Sequence, residues 1–200
     1  GDLDVYITKL SPESAIMREL SSLREIPFRS VGEGTGLSKD TDVYDAEYLH
    51  LFIWNAKAKE IVGAYRLGLA DKICEKFGVR GLYTHTLFKF NENLTDKILP
   101  GIELGRSFVR PEHQKAFQPL LYLWKGIGTF ISRNPQYVNL FGPVSITADY
   151  KDSSRNMLLR SLELSNFAND LAHLVKPRKK PARMKKREEW VNPDFEEIIA

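Results

Sequence analysis

The stretch "EYLHLFIWNAKAKEIVGAYRLGLA", residues 47–70, constrains the fold of this chain more than any other. Leu49, Leu51 and Ile53 alternate with Tyr48, His50, Phe52 and Trp54, so a strand here is apolar on both faces. Such a strand belongs in the middle of a sheet that is covered on both sides. The polar segment Asn55 to Glu60 predicts a turn, and Ile61, Val62, Ala64, Tyr65 and Leu67 return as a second strand. A central hairpin with helices on both faces follows.

The flanking segments supply those helices. Ser11 and Pro12 suit the start of a helix, Ile16, Leu20 and Leu23 repeat at helical spacing, and Pro27 predicts its end. The following "FRSVGEGTGLSKDTDVYD" reads as a long loop of the substrate-binding or lid type. Its Gly32, Gly34 and Gly36 lack the spacing, the preceding strand and the following helix of a dinucleotide fingerprint. Further on, a short helix is expected over residues 71–77, a strand over 84–90, a strand over 102–109 and a helix over 117–133. Leu120, Trp124, Ile127 and Ile131 mark the buried stripe of that last helix. A strand over 137–146 is interrupted by Gly142 and Pro143, and a final helix over 153–175 turns Leu164, Phe167, Ala168, Leu171 and Val175 to one side. The class is α/β (α+β), with one parallel crossover between the last two strands.

Two hundred residues suit one domain, read as residues 1–175, with a basic tail or linker over 176–200. The run "KPRKKPARMKKR" holds eight basic residues, and without it 21 basic residues face 26 acidic ones. The body is therefore acidic, which argues against nucleic acid as a partner. The tail, with Arg178, Lys179, Lys180, Lys185 and Lys186, suits an anionic membrane surface or an acidic protein. A single cysteine, Cys74, excludes an internal disulfide and a cysteine-based zinc site, and no other metal ligand set is read. No apolar run is long enough for a membrane span, so a cytoplasmic chain, peripheral at most to the inner face of the membrane, is expected.

"IELGRSFVRPEH", residues 102–113, places Glu103 and Arg106 in an otherwise apolar strand. Buried charges need partners. Three residues apart, the two point to opposite faces unless a bulge, which Gly105 would supply, lets them pair. Otherwise each finds a partner among Asp42, Asp45, Arg24, Arg29 and Arg66. A purely structural ion network of Arg66, Glu103 and Arg106 is the alternative to an active site.

The element order, with its strand–helix–broken-strand unit, resembles the GNAT N-acyltransferases: a mixed central sheet flanked by helices, splayed strands forming the donor cleft. The blocks "LREIPFR", "DTDVYD", "VGAYRL" and "ELGRSFV" are similar to those of acyl-homoserine-lactone synthases. They are closer still to the ornithine-lipid and glycine-lipid N-acyltransferases often labelled hemolysin-like, over roughly residues 15–150. The resemblance implies transfer of a 3-hydroxy fatty acyl group from acyl carrier protein to the α-amine of glycine or ornithine, giving a lyso-aminolipid. No tightly bound cofactor is implied; the donor is the carrier's phosphopantetheine arm. Coenzyme A is the less favoured donor, because "VRPEHQKAFQ" lacks the glycines that cradle its pyrophosphate.

The same resemblance implies a site in which Glu103, with Asp45 as second choice, is the base. Arg106 and Arg66 belong with them to the catalytic cluster. Arg24, Phe28, Arg29 and Asp42 line the acceptor end, a backbone N–H near Phe108 or Val109 receives the oxyanion, and the Gly142–Pro143 break admits the pantetheine arm. Cys74 is not expected to act as a nucleophile. The rival readings are a signal synthase using S-adenosylmethionine and a non-catalytic membrane-binding module.

Overall fold

The computed structural model describes residues 2–147 and 149–179. The expected hairpin forms from β2 (Leu49–Asn55) and β3 (Glu60–Leu69), paired antiparallel. β2 lies between β3 and an N-terminal strand, β1 (Leu3–Lys9), that the reading above did not anticipate. β1 alternates half-buried Leu3, Val5 and Ile7 with exposed residues, as an edge strand should. The sheet continues from β3 to β5 (Gly101–Val109) and then to β6 (Asn139–Phe141), the last pair parallel, as expected of the crossover.

Helices cover both faces, which answers the two-sided apolar pattern of β2. On one side Phe52, Ala64 and Phe108 pack with Met17, Leu20 and Leu23 of α1 (Ala15–Ser30). On the other, Leu51, Ile53, Val62, Leu67 and Ile102 pack with Leu123 and Ile127 of α5 (Gln118–Arg133). Gly126 lets α5 approach closely, since a Cβ there would sit 2.8 Å from both Leu51 and Val5. The buried stripe of α5 is Leu123, Gly126 and Ile127, whereas Leu120 and Trp124 are exposed, so the expected stripe was rotated.

Other boundaries are corrected by side-chain hydrogen bonds. α1 is capped by Ser14, whose Oγ accepts from the Met17 N–H at 3.2 Å, and not by Ser11. It runs through Pro27 to Ser30, because a proline in the last turn forfeits one hydrogen bond while Arg24 and Glu25 anchor the helix before it. α2 (Ala70–Phe77) is as expected. The strand expected over 84–90 is a helical turn, α3 (Thr84–Leu87), followed by a short β4 (Phe88–Phe90). A helix, α4 (Glu92–Ile98), capped by Asn91, precedes β5.

The long final helix is instead α6 (Asp152–Ser165), α7 (Asn169–Ala172) and β7 (Val175–Pro177), which pairs with β4. Leu164 and Phe167 are exposed; Leu171 and Val175 join Leu94, Ile98 and Leu174 in a small separate core. No helix among the described residues is long and apolar enough to cross a membrane.

Two irregularities position the site. β6 pairs with β5 only through Gly101, Ile102 and Glu103, leaving the rest of that β5 edge unpaired among the described residues. Gly142 closes the pairing, for a Cβ there would meet the Leu104 carbonyl at 2.1 Å. Against β3, Arg66 faces Gly105 but Ala64 faces Phe108, so β5 carries an extra residue. Arg106 occupies that bulge with φ of 49°, a left-handed conformation costly for a non-glycine residue.

Candidate active site

On the α1 face of the sheet, three guanidiniums meet three carboxylates. Arg24, from α1, donates to both Asp45 carboxylate oxygens, at 3.1 and 2.9 Å, and its Nε lies 3.1 Å from Asp40 Oδ2. Arg66, from β3, donates to Asp42 Oδ1 at 2.5 Å and to Asp45 Oδ1 at 3.0 Å. Arg106 reaches Asp42 Oδ2 at 3.4 Å and Asp40 Oδ2 at 3.3 Å. Three charges of each sign compensate one another, which is what permits their burial.

The cluster is sealed below and open above. The side chains of Arg24, Asp40, Asp45 and Arg66 are 2–4 % exposed, whereas those of Asp42 and Arg106 are 19 % and 20 % exposed. The bulge is what lifts Arg106 to that rim. Its contacts with both aspartates are long, so it remains available to another anion.

Protonation follows from the partners. Burial pushes the Asp45 carboxyl up, but hydrogen bonds and charge from Arg24 and the charge of Arg66 outweigh it and bring it to about 2. His50, on β2, places Nε2 2.9 Å from the Asp45 carbonyl, which requires the proton on Nε2. Burial lowers its pKa, so the ring is neutral near pH 7. A gap of about 10 Å³ separates His50, Tyr65, Arg24, Arg66 and Arg106, which is room for about one water.

Glu103 occupies different surroundings. Its carboxylate accepts from the Tyr83 N–H at 3.0 Å, from the Thr84 N–H at 2.5 Å and from the Tyr48 and Thr84 hydroxyls. Burial, then the charge of Glu103, pushes the Tyr48 phenol upward, keeping it a donor. Glu103 and Arg106 do not pair, and no expected partner holds Glu103. The Tyr83–Thr84 backbone that turns inward to reach it is the reason no strand forms there.

The remaining expected residues divide. Phe28 lies against Arg106, ring centroid 5.7 Å from the guanidinium carbon. Arg29 is outside the cluster: it donates to Glu25 at 2.8 Å and to the Leu37 carbonyl at 2.5 Å. Buried Glu25 also accepts from the Thr35 N–H and hydroxyl and the Gly36 N–H. Burial pushes this carboxyl up, but the Thr35, Arg29 and Gly36 hydrogen bonds carry it down to about 2. This latch folds the glycine loop onto α1, beside a cavity of about 340 Å³ that contains none of the three-arginine cluster.

Phe108 is buried in the core with its carbonyl toward Gly63 of β3, and the next-but-one N–H, Arg110, donates to Val62. Strand alternation therefore turns the Val109 N–H to the unpaired edge, where the Val109 carbonyl accepts from the Gln114 side chain. Gly142 borders the same strand at the Leu104 carbonyl, and Pro143 follows it in the chain. Arg178 donates to the Leu87 carbonyl from its backbone and to the His85 carbonyl from Nε. Lys179 is exposed, and Lys180, Lys185 and Lys186 lie outside the described residues. Cys74 is not a surface thiol: it is half-buried against Tyr48 and Leu82, and burial followed by the charges of Glu103 and Asp71 raises its pKa.

Sequence reasoning missed Asp40, Tyr48, Tyr83, Thr84, His50 and Glu25. Asp40 stood in the same acidic loop as Asp42 and Asp45; the others act through contacts that no local pattern marks.

An Acetyltransferase (GNAT) domain family matches residues 23–125. The chain is 38% identical over 184 residues to a glycine N(alpha)-acyltransferase of Bacteroides thetaiotaomicron, covering 86% of this chain and 54% of that one. It is 34% identical over 187 residues to a glycine N(alpha)-acyltransferase of Phocaeicola vulgatus, covering 88% and 57%. The chain thus spans about half the length of these curated relatives. Among solved structures, an aminoglycoside acetyltransferase from a soil metagenomic sample aligns at a TM-score of 0.43 and 13% identity, over 80% of this chain and 90% of that one.

Proposed function

From the premise that the chain belongs to the GNAT acetyltransferase family, we propose that it transfers a fatty acyl group from a thioester to the α-amine of glycine. The observation that carries this reading is the half-open charged cluster. Only Arg106 and Asp42, one cation and one anion, rise to its rim. A zwitterionic amino acid matches that pair, its carboxylate on the Arg106 fork and its ammonium on Asp42. Glycine is the acceptor in the names of the two relatives.

The chemistry follows from the partners of each carboxylate. Asp45, held at about 2 by two arginines, is a poor proton acceptor and serves as the anchor of the cluster. Glu103 touches hydroxyls and amides but no arginine among the described residues, and it takes the ammonium proton through a water. The neutral amine attacks the thioester carbonyl, the Val109 N–H at the unpaired edge receives the oxyanion, and the C–S bond breaks. The nitrogen sheds two protons in all: the first passes through Glu103 and its water to solvent, and the second, released as the amide forms, protonates the departing thiolate.

Acyl carrier protein is the proposed donor, and a lyso-aminolipid the proposed product. In support, the segment between β5 and α5 forms a short turn at Pro111–His113 and contains no glycine to cradle a pyrophosphate. The test is mass spectrometry of reactions containing 3-hydroxypalmitoyl carrier protein and a panel of amino acids. N-acylglycine made by wild type and lost in Glu103→Gln supports the reading; a folded wild type that acylates no amino acid overturns it.

A further inference from the structure

The rim of the cluster has a wall that none of the proposed steps uses. Among the described residues, Tyr83 is the one aromatic ring shared by the two arginines that reach Asp42: its centroid lies 5.7 Å from the Arg66 guanidinium carbon and 5.1 Å from that of Arg106. Phe28 approaches Arg106 from α1, at 5.7 Å. Tyr44 meets the Tyr83 ring edge-on, centroids 5.7 Å apart and planes at 88°. The Tyr44 N–H in turn donates to Asp42 Oδ1 at 2.9 Å.

This ring is held by its own backbone. The Tyr83 N–H donates at 3.0 Å to both Glu103 Oε2 and the Tyr48 hydroxyl, and Thr84 beside it is doubly fixed on Glu103 Oε1. A side chain mounted on a backbone tied at two successive residues has little freedom to retreat. An acceptor that spans Arg106 and Asp42 has its α-carbon between those two groups, and hence beside the two rings that lie against the Arg106 guanidinium, Tyr83 and Phe28. A hydrogen on that carbon fits beside a ring; a methyl or larger group meets it.

We propose that Tyr83 is the residue that restricts the acceptor to glycine. The inference rests on the amino-acid acceptor reading and adds the source of its selectivity. Tyr83 acts by bulk and fixed position, so the aromatic volume matters and the hydroxyl does not.

The experiment measures acylation of glycine, L-alanine and L-serine, singly and in competition, by wild type, Tyr83→Ala, Tyr83→Leu and Tyr83→Phe, with folding of each checked by circular dichroism. Wild type should prefer glycine over alanine by about a hundredfold or more in kcat/KM, the upper end for exclusion of one methylene-sized group. Tyr83→Ala should raise the alanine-to-glycine ratio by at least about tenfold, Tyr83→Leu by less, and Tyr83→Phe should keep the wild-type ratio. An unchanged ratio in folded Tyr83→Ala or Tyr83→Leu overturns the proposal. Wild type alone also tests it: alanine inhibiting competitively near the glycine KM means that the wall does not exist. If wild type acylates no amino acid, it is the underlying functional reading that has failed.

Discussion

Asp45→Asn is the sharpest test of the buried cluster. Asp45 is 4 % exposed, accepts both arms of the Arg24 fork and one from Arg66, and receives the Asp42 N–H at 3.0 Å. Its carboxyl falls from 3.8 to about 2 on folding, and that difference is worth about 2 to 3 kcal/mol of stability at neutral pH. Removing the charge also leaves two buried guanidiniums short of an anion, for which losses of about 3 to 5 kcal/mol are usual. The two routes agree on about 3 kcal/mol, which for a chain of this size lowers Tm by about 6 to 12 °C. Because the folded pKa is depressed, this stability is present above pH 3.8 and lost as pH falls toward about 2. Thermal melts followed by circular dichroism should therefore show a large gap between wild type and variant at pH 7 that narrows below pH 4. A variant melting within about 2 °C of wild type at pH 7, under about 1 kcal/mol, would refute the claim that the cluster is an integral part of the fold.

Three further outcomes are expected. Glu25→Gln should loosen the glycine loop, seen as faster hydrogen exchange at Thr35 and Gly36; because the Glu25 carboxyl is lowered from 4.5 to about 2, its hold is complete above pH 4.5 and fades toward pH 2. Unchanged exchange would mean that the latch is idle. His50, lowered by burial, should be more than half neutral at pH 6.5, where a free histidine is half protonated, and an imidazole NMR titration with its midpoint at or above 6.5 would contradict this. Cys74, raised by burial, should react with a thiol reagent at neutral pH far more slowly in the folded chain than after denaturation, and equal rates would place it on the surface.

What the sequence made legible was periodic. The two-sided apolar pattern of β2, the return of β3 and the parallel crossover from β5 to β6 are all visible in residue spacing, because strands repeat every second residue over enough length to be read. α5 was placed to within a residue or two but turned, since a stripe of Leu120, Trp124 and Ile127 is as regular as the one the sheet selects through Gly126. The site was legible as a charge problem: opposite charges in an apolar strand demanded partners. Those partners were not legible. Glu103 is held by a tyrosine 55 positions earlier and by two consecutive amides, of which the second, Thr84, lies in a segment that the sequence pattern reads as strand. Arg106 escapes strand alternation through a bulge on its own backbone and not on Gly105.

The central claim is that Arg106 and Asp42 receive the amino-acid acceptor, and the kinetics of Arg106→Gln test it most directly. With acylated carrier protein held saturating and glycine varied, loss of a charge-assisted fork worth about 2 to 3 kcal/mol should raise the glycine KM by about a hundredfold. The KM for the donor, for which the unpaired edge of β5 is the proposed site, should be unaffected. A glycine KM equal to that of wild type, in a folded variant, would place the acceptor elsewhere and leave the charged cluster a structural feature of the fold.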